Sequence, residues 1–334
     1  MPVTIKDIAK AAGVSHTTVS RALKGNPAIS TETTERIQHL AQELGYTPSA
    51  VAQSLLTRRT QTIGMVVTTI ADPFVAQVVE GVESVAQAAS YSVFLTTSHN
   101  NPDQEMSVVE TLHRRRVDAI IVTSSRVGSL YTSRLEQLQI PIVLINNQEE
   151  GEFLYSVAVD DRQGAQLAVE YLIGLGHRAI GYIGASNRPK SNRRRQTGYQ
   201  TALQQAGIPL NPALVLQPVV NTDFKRGEAG LDLILGGQAT AIFCYNDIIA
   251  IGLLMACQRH GINVPDQLSI VGFDGIEPAQ YVSPPLTTVC QPRLLLGQTA
   301  MQMTLDLLND ERVHDSILPC DLIVRSSTAP VPDN

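Results

Sequence analysis

Residues 4–24 read Thr4-Ile5-Lys6-Asp7-Ile8-Ala9-Lys10-Ala11-Ala12-Gly13-Val14-Ser15-His16-Thr17-Thr18-Val19-Ser20-Arg21-Ala22-Leu23-Lys24, and their spacing decides what this end of the chain is. Thr4 is an N-cap type, and Asp7 three positions on can reach back to it as a capping box. Ile5, Ile8, Ala9 and Ala12 share one helical face. Gly13 then stops the helix, because glycine takes positive φ without a Cβ penalty. Ser15 opens a second helix that runs to about Lys24 before Gly25. Val19, Ala22 and Leu23 form its apolar stripe, while His16, Thr17, Thr18, Ser20 and Arg21 stay polar and outward. Ala9 lets two helices cross closely, Gly13 makes the turn and Val19 fills the corner, which is the logic of a helix-turn-helix. A third helix from Ser30 to Leu44-Gly45 closes the bundle with Ile37, Leu40, Ala41 and Leu44. The alternative reading of this head is a three-helix interaction module that binds no nucleic acid.

Charge separates the head from the remainder of the chain. Residues 1–60 hold seven Lys/Arg against four Asp/Glu, a net of +3; the whole chain carries −6, so the remainder carries −9. A small basic head on a large acidic body points to an anionic partner for the head alone. The 334 residues are 43% hydrophobic and 17% charged, enough for two or three packed domains and not the composition of a disordered or fibrous chain. No apolar run approaches the ~20 residues of a membrane span, and Met1–Lys10 lacks a signal-peptide block, so a cytoplasmic protein that engages no membrane is expected. Cys244, Cys257, Cys290 and Cys320 form no CxxC pair and lie among apolar neighbours, so reduced, buried thiols are expected rather than a metal site or disulfide framework.

Residues 46–60 read as a connector. Ser49 can cap a helix over Ala50–Leu56 of about two turns, too short to be stable alone in water. From Thr62 onward the pattern alternates between strand-like runs and helical stretches. The runs are Ile63–Val67, Val93–Thr97, Ala119–Val122, Ile142–Ile145, Val157–Val159, Ile180–Ile183, Val215–Leu216, Ala241–Phe243, Ser269–Val271, Thr287–Val289 and Leu322–Val324. Helical stretches include Val75–Ala89, Gln163–Leu175, Gln196–Ala206, Ile248–His260 and Leu294–Leu308. Near-continuous apolar strands alternating with helices mean parallel sheets covered on both faces. Eleven strands are many for one doubly wound sheet, so two similar α/β halves with a cleft between them are expected, divided near Asp160–Asp161.

Enzyme chemistry finds no support in the motifs: GxGxxG after a strand, GxxxxGK[ST], HExxH and GxSxG are all absent, and no cofactor is implied. His177, at a helix end, reads as structural. Polar residues do gather just after the carboxyl ends of strands, where open α/β sheets bind ligands. These are Asp72-Pro73-Phe74, Asp160-Asp161, Tyr245-Asn246-Asp247, Phe273-Asp274 and Arg193-Arg194-Arg195. Arg, Asn and Asp converging with Phe74 or Phe224 for stacking suit a small hydroxylated ligand. Each also has a structural reading: Asp160, Asn246 and Asp247 are good N-caps, and Asp274-Gly275 is a good turn. The basic run of Arg188, Lys190, Arg193, Arg194 and Arg195 reads either as an anion pocket or, as such runs more often do, as a solvated surface.

Val3–Ala9, Gly13-Val14-Ser15, Thr18–Leu23 and Leu44-Gly45-Tyr46-Thr47-Pro48 resemble the head of the lactose/galactose repressor family of bacterial transcription regulators. Leu175-Gly176-His177-Arg178, Asn246-Asp247, Val271-Gly272-Phe273-Asp274 and Pro285–Val289 resemble its core, so the likeness spans essentially the whole chain. The resemblance implies an all-α helix-turn-helix head at residues 1–46, a hinge helix and linker at 47–60, and an α/β core at 61–334. That core would have two doubly wound parallel-sheet subdomains like periplasmic sugar-binding proteins, approximately 61–160 and 161–288, with C-terminal segments crossing between them. It implies a homodimer on a near-palindromic double-stranded DNA operator, with affinity altered by a small effector such as a sugar. Arg21 would pair with guanine while His16 and Thr17 face base edges, with Ser20 on the same DNA-binding face; Thr4, Ser15, Thr18, Lys24 and Ser30 match phosphate-contacting positions. Leu55 matches the leucine wedged into the minor groove. Phe74, Arg195, Asn246 and Asp274 match effector-pocket positions, Phe224 lies near a stacking aromatic, and Asp160 and Asp247 belong to the same clusters. Val75 replaces a second aromatic, which weakens a nucleobase-type pocket. The absence of a leucine heptad after Val331 favours a dimer over a tetramer. Two other readings compete: a secreted solute-binding protein, against which the head and the missing signal peptide speak, and an α/β enzyme with an accessory head, which nothing in the sequence supports.

Overall fold

The computed structural model describes residues 3–46, 59–127, 140–148, 155–232, 236 and 239–331. They fall into two units, one within residues 1–60 and one within 61–334. The expected hinge helix over Ala50–Leu56, and Leu55 with it, lies outside the described residues.

The first unit is a three-helix bundle of α1 (Ile5–Ala12), α2 (His16–Leu23) and α3 (Thr31–Glu43). Its caps are those the residue types dictate. The Asp7 carboxylate accepts from the Thr4 backbone N–H at 2.9 Å and from the Thr4 hydroxyl at 2.7 Å. Ser15 Oγ accepts from Thr18 N at 3.1 Å, and Ser30 Oγ from Thr33 N at 3.3 Å. Gly13 takes φ 64° at the end of α1, so the chain reverses there without strain. Ile8, Ala9, Ala12, Val19, Ala22, Ile37 and Ala41 are the buried core of this small unit.

The second unit contains two six-stranded sheets. In the first, β1 (Thr62–Val67), β2 (Ser92–Thr97), β3 (Ala119–Thr123), β4 (Ile142–Ile145), β5 (Ser156–Val159) and β11 (Ser316–Leu318) lie parallel in the order β11-β5-β4-β3-β1-β2. In the second, β6 (Ile180–Ile183), β7 (Val215–Leu216), β8 (Ala241–Cys244), β9 (Ser269–Asp274), β10 (Thr287–Cys290) and β12 (Asp321–Ile323) run β12-β10-β9-β8-β6-β7. Only β12 is antiparallel to its neighbour among these pairs. The central strands β3, β4, β6 and β8 are buried at every position, as strands covered on both faces must be.

Helices cover these sheets. α4 (Pro73–Ala88) and α5 (Pro102–Arg114) belong to the first half, and α6 (Asp161–Gly174), α7 (Pro189–Gln205), α8 (Asp223–Ala229) and α9 (Asp247–Arg259) to the second. α10 (Arg293–Leu308) leaves β10 of the second half and packs on α4 and on β3, β4 and β5 of the first. The chain therefore crosses between the halves at Asp160, at Gln291-Pro292 and again between β11 and β12. α4 and α10 meet backbone to backbone: a Cβ built on Gly81 would lie 2.1 Å from the Leu294 carbonyl, and one on Gly297 equally close to that of Val78.

Two elements differ from the sequence expectation. β11 is a twelfth strand; Ser316-Ile317-Leu318 is too short for a periodic signal, and its pairing with β5 is a long-range event. α7 starts at Pro189, not at Gln196, because its first two turns carry polar residues, of which Ser191 and Arg195 face the cleft, rather than an apolar stripe.

Candidate nucleic-acid interface and ligand cleft

Helical spacing puts His16, Thr17, Ser20, Arg21 and Lys24 on the side of α2 opposite buried Val19 and Ala22. His16, Thr17, Arg21 and Lys24 are exposed, and Thr18 and Ser20 half-buried. Thr4, Ser15 and Ser30 are the exposed N-caps of the three helices, so each stands where free backbone N–H groups and the helix dipole favour an anion. The described part of this unit thus presents an exposed face of polar and cationic side chains on α2 and exposed N-caps on all three helices.

In the second unit a narrow cleft opens between the two sheets, at the carboxyl ends of their strands. Thr68, Asp72, Phe74 and Val75 come from the segment after β1, Ser124 from the end of β3, and Asn146 and Gln148 from the end of β4. The other half supplies Asp161, Arg188, Ser191, Arg195, Tyr245 and Asp274, and the crossing segment supplies Gln291. Arg195 is the centre of this site. Its guanidinium carbon lies 3.6 Å from the Phe273 ring centroid and 4.3 Å from that of Tyr245. Nε donates to Asp161 Oδ1 at 2.8 Å, and Nη1 donates to the Tyr245 carbonyl and reaches Asp274 Oδ1 at 3.5 Å. Arg188 Nη1 donates to Asp223 Oδ2 at 2.6 Å, and Asp223 also accepts from Arg226 and Asn246.

Side chains already meet across the gap. Ser191 donates through its hydroxyl to Gln148 Oε1 at 2.9 Å, and Arg188 Nη2 stands 3.9 Å from Asp72 Oδ2. The cleft is thus narrow enough for one molecule of sugar size to touch both halves at once.

Of the pocket residues named from sequence, Phe74, Arg195 and Asp274 line this space; Asp160, Phe224, Asn246 and Asp247 are not among the lining residues. The Asp160 carboxylate caps α6 through Gln163 N at 2.9 Å, and it is Asp161, one position on, that faces the cleft. Asn246 caps α9 through Ile249 N at 2.9 Å. Phe224 lies in α8, its backbone against Gly252 of α9. Asp247 is fully buried and accepts from Ile276 N at 2.8 Å and from the Thr288 hydroxyl, which fixes the turn carrying Asp274. The basic run divides between its two readings: Arg188 and Arg195 are held in ion pairs, and Arg193 and Arg194 are exposed. His177 is buried, with Nδ1 on Thr240 Oγ1 at 3.0 Å and Nε2 on Ser269 Oγ at 3.1 Å, a structural arrangement. Thr68, Ser124, Asn146, Gln148, Ser191 and Gln291 join the lining without a motif to announce them. Four of the six stand at the first position after a strand, and that position is the signal that marks them.

Burial raises three carboxyls here, Asp161, Asp247 and Asp274. Asp247 is pushed up from 3.8 to about 8 by loss of solvent, with the nearby Asp274 charge adding to it. Asp274 is pushed to about 7 by the same loss of solvent, against the opposing pull of Arg195. A folded-state pKa above the unfolded one means that ionisation opposes folding. For Asp247 the cost is absent below about pH 4, grows as pH rises, and is complete above about pH 8. An amide has no such cost and satisfies both partners, its oxygen accepting from Ile276 and its nitrogen donating to Thr288. Asp247→Asn is therefore expected to flatten the fall of Tm between about pH 6 and pH 9 by several degrees. Thermal unfolding of both proteins across that range checks it; parallel curves would contradict it.

Residues 4–49 match the family described as "Bacterial regulatory proteins, lacI family", and residues 169–328 match "Periplasmic binding protein-like domain". The chain is 35% identical over 329 residues to the ribose operon repressor of Haemophilus influenzae, covering 97% of this chain and 98% of that one. The lac repressor dimer bound to operator and an anti-inducer superposes with a TM-score of 0.87 at 28% identity, covering 98% of this chain and all of that one. A regulator from Enterococcus faecium with bound ribose gives a TM-score of 0.73 at 28% identity, over 81% of this chain and all of that one.

Proposed function

The chain belongs to the lacI family of bacterial regulatory proteins, and from that premise we propose that a neutral sugar in the cleft sets the grip of a paired head on its operator. The protein is a DNA-binding transcription regulator controlled by a small effector, not an enzyme. The finer reading makes it a cytoplasmic homodimeric repressor. Its DNA-binding domain is residues 1–46, its hinge 47–60, and its effector-binding core 61–334.

One observation carries the sugar assignment: the charges lining the cleft are already spent on one another. Three carboxylates, Asp72, Asp161 and Asp274, face two guanidiniums. Arg195 is held by Asp161 and Asp274, and Arg188 by Asp223. A phosphate or carboxylate entering here would find both lining guanidiniums already paired with carboxylates. Hydroxyl groups, which both donate and accept, suit Asp–Arg pairs and the amides of Asn146, Gln148 and Gln291, and Phe74 can cover a ring face. The ribose bound to the Enterococcus regulator and the name of the Haemophilus relative support the same class of ligand. A dimer is supported by the apolar side chains Ile70, Phe94 and Leu95, which stand 69%, 50% and 43% exposed on the first half. Phe94 and Leu95 lie on β2, an edge strand of the first sheet.

A thermal-shift screen of the purified protein over neutral sugars, sugar acids, sugar phosphates and nucleobases tests the assignment. Neutral pentoses or hexoses are expected to raise Tm, and their phosphates to leave it unchanged. Stabilisation by phosphorylated or acidic ligands alone would contradict the charge reading.

A further inference from the structure

Gln291 lies at the second crossing between the halves, is almost fully buried, and has both ends of its amide engaged. Its Nε2 donates to Asp274 Oδ1 at 2.7 Å, and its Oε1 accepts from Asn146 Nδ2 at 3.3 Å. The second end of Asn146 is engaged as well: its Oδ1 accepts from the backbone N–H of Val159 at 3.2 Å. The result is a continuous chain of hydrogen bonds, Val159 to Asn146 to Gln291 to Asp274. It starts in the first half, at the residue before the Asp160 crossing, and ends in the second half at the floor of the cleft.

The direction of this chain is fixed from both ends. Above about pH 7, where Asp274 is ionised, its carboxylate only accepts, so Gln291 presents its nitrogen there. A backbone N–H only donates, so Asn146 must present its oxygen to Val159. Both amide orientations follow, and neither amide can flip without setting two donors or two acceptors face to face. Both terminal side chains also sit on backbone held at positive φ, 48° at Asn146 and 115° at Asp274. Residues in such conformations persist only where their surroundings hold them.

We propose that Gln291 is a positioning residue that reports whether the Asp274 acceptor is engaged and passes that state to Asn146, and so to the Asp160 crossing. A ligand hydroxyl that takes Asp274 Oδ1 competes with Gln291 for it. Gln291 then turns, Asn146 loses its fixed partner, and the Val159 N–H is released in the other half of the core. This deepens the effector reading and rests on it for its consequence in DNA binding, but the relay itself exists without ligand or DNA.

The test uses the full-length protein with neither added. Amide hydrogen exchange at Val159 reads the far end of the chain. Asp274→Gly removes the acceptor at a backbone angle that glycine tolerates, and Gln291→Met removes the link. Each is expected to speed exchange at Val159 about tenfold, and the double variant is expected to be no faster than Gln291→Met alone. Asp274→Asn keeps an acceptor oxygen and should leave Val159 protected. Exchange at Val159 unchanged within about twofold by Asp274→Gly, or effects that multiply in the double variant, would overturn the relay. Should Asp274→Gly fail to fold, Gln291→Met alone makes the same test, because methionine accepts nothing useful from Asn146 and donates nothing to Asp274, and must also release Val159. Since no sugar or operator takes part, failure here would leave the sugar assignment standing, and failure of the sugar screen would leave the relay standing.

Discussion

Arg195→Leu is expected to lower the stability of the core by about 3–5 kcal/mol, the largest effect expected of any single substitution in the cleft. The guanidinium is 4% exposed and lies against the rings of Tyr245 and Phe273 while neutralising Asp161 and Asp274. Leucine fills part of the volume but leaves two carboxylates in the cleft wall without their cation. Burial already raises both carboxyls, so both rise further in the variant. The deficit must therefore be larger at about pH 8 than at about pH 5, where protonation relieves it. Urea unfolding of the core at the two pH values measures both effects. Arg195→Lys keeps a charge but loses the fork and the ring stacking, and should fall between the two. A leucine variant within about 0.5 kcal/mol of the parent would show that the ion pairs contribute nothing net.

Arg21→Ala is expected to cost about 1–3 kcal/mol of discrimination between operator and random duplex, with little change in the stability of the head, because the side chain is exposed. Arg21 stands on the outer face of α2, where a guanidinium can pair with a guanine edge. Lys24→Ala should show the opposite profile. Affinity for every duplex should fall together, and the slope of log affinity against log salt should become shallower by about 0.9, as for one lost phosphate contact. Competition binding at several salt concentrations separates the two roles. An Arg21 variant that keeps its sequence preference but loses salt dependence would make Arg21 a backbone contact.

Why the head was so legible lies in its short-range physics. Thr4 with Asp7, Gly13, Ser15 and Ser30 are caps and stops whose consequences unfold within three or four residues, and all of them act as their chemistry dictates. The strands were legible for a different reason: β3, β4, β6 and β8 are buried on both faces, so their apolar runs are unbroken. What local pattern cannot carry is partnership across the chain. β11 exists because β5 lies beside it, and Gln291 matters because Asn146, 145 residues earlier, meets it at the crossing. The cleft shows the same division. Asp160 and Asp161 are equivalent by composition, yet the helical turn sends one to the cap and the other to Arg195. Asn246 fulfils its capping alternative, whereas Asp247 accepts from Ile276 and Thr288 instead of capping α9, and Asp72 and Tyr245 from the same polar clusters line the cleft.

The central claim is that what fills the cleft changes the hold on DNA. A ligand shifts that equilibrium only through its differential affinity for two arrangements of the core halves. The direct measurement is the dissociation constant of the full-length protein for an operator duplex enriched from a random pool, taken with and without a saturating sugar from the stability screen. The two values are expected to differ by about 5- to 150-fold, in either direction. Equal values, for a sugar whose binding is evident from Tm, would contradict the account.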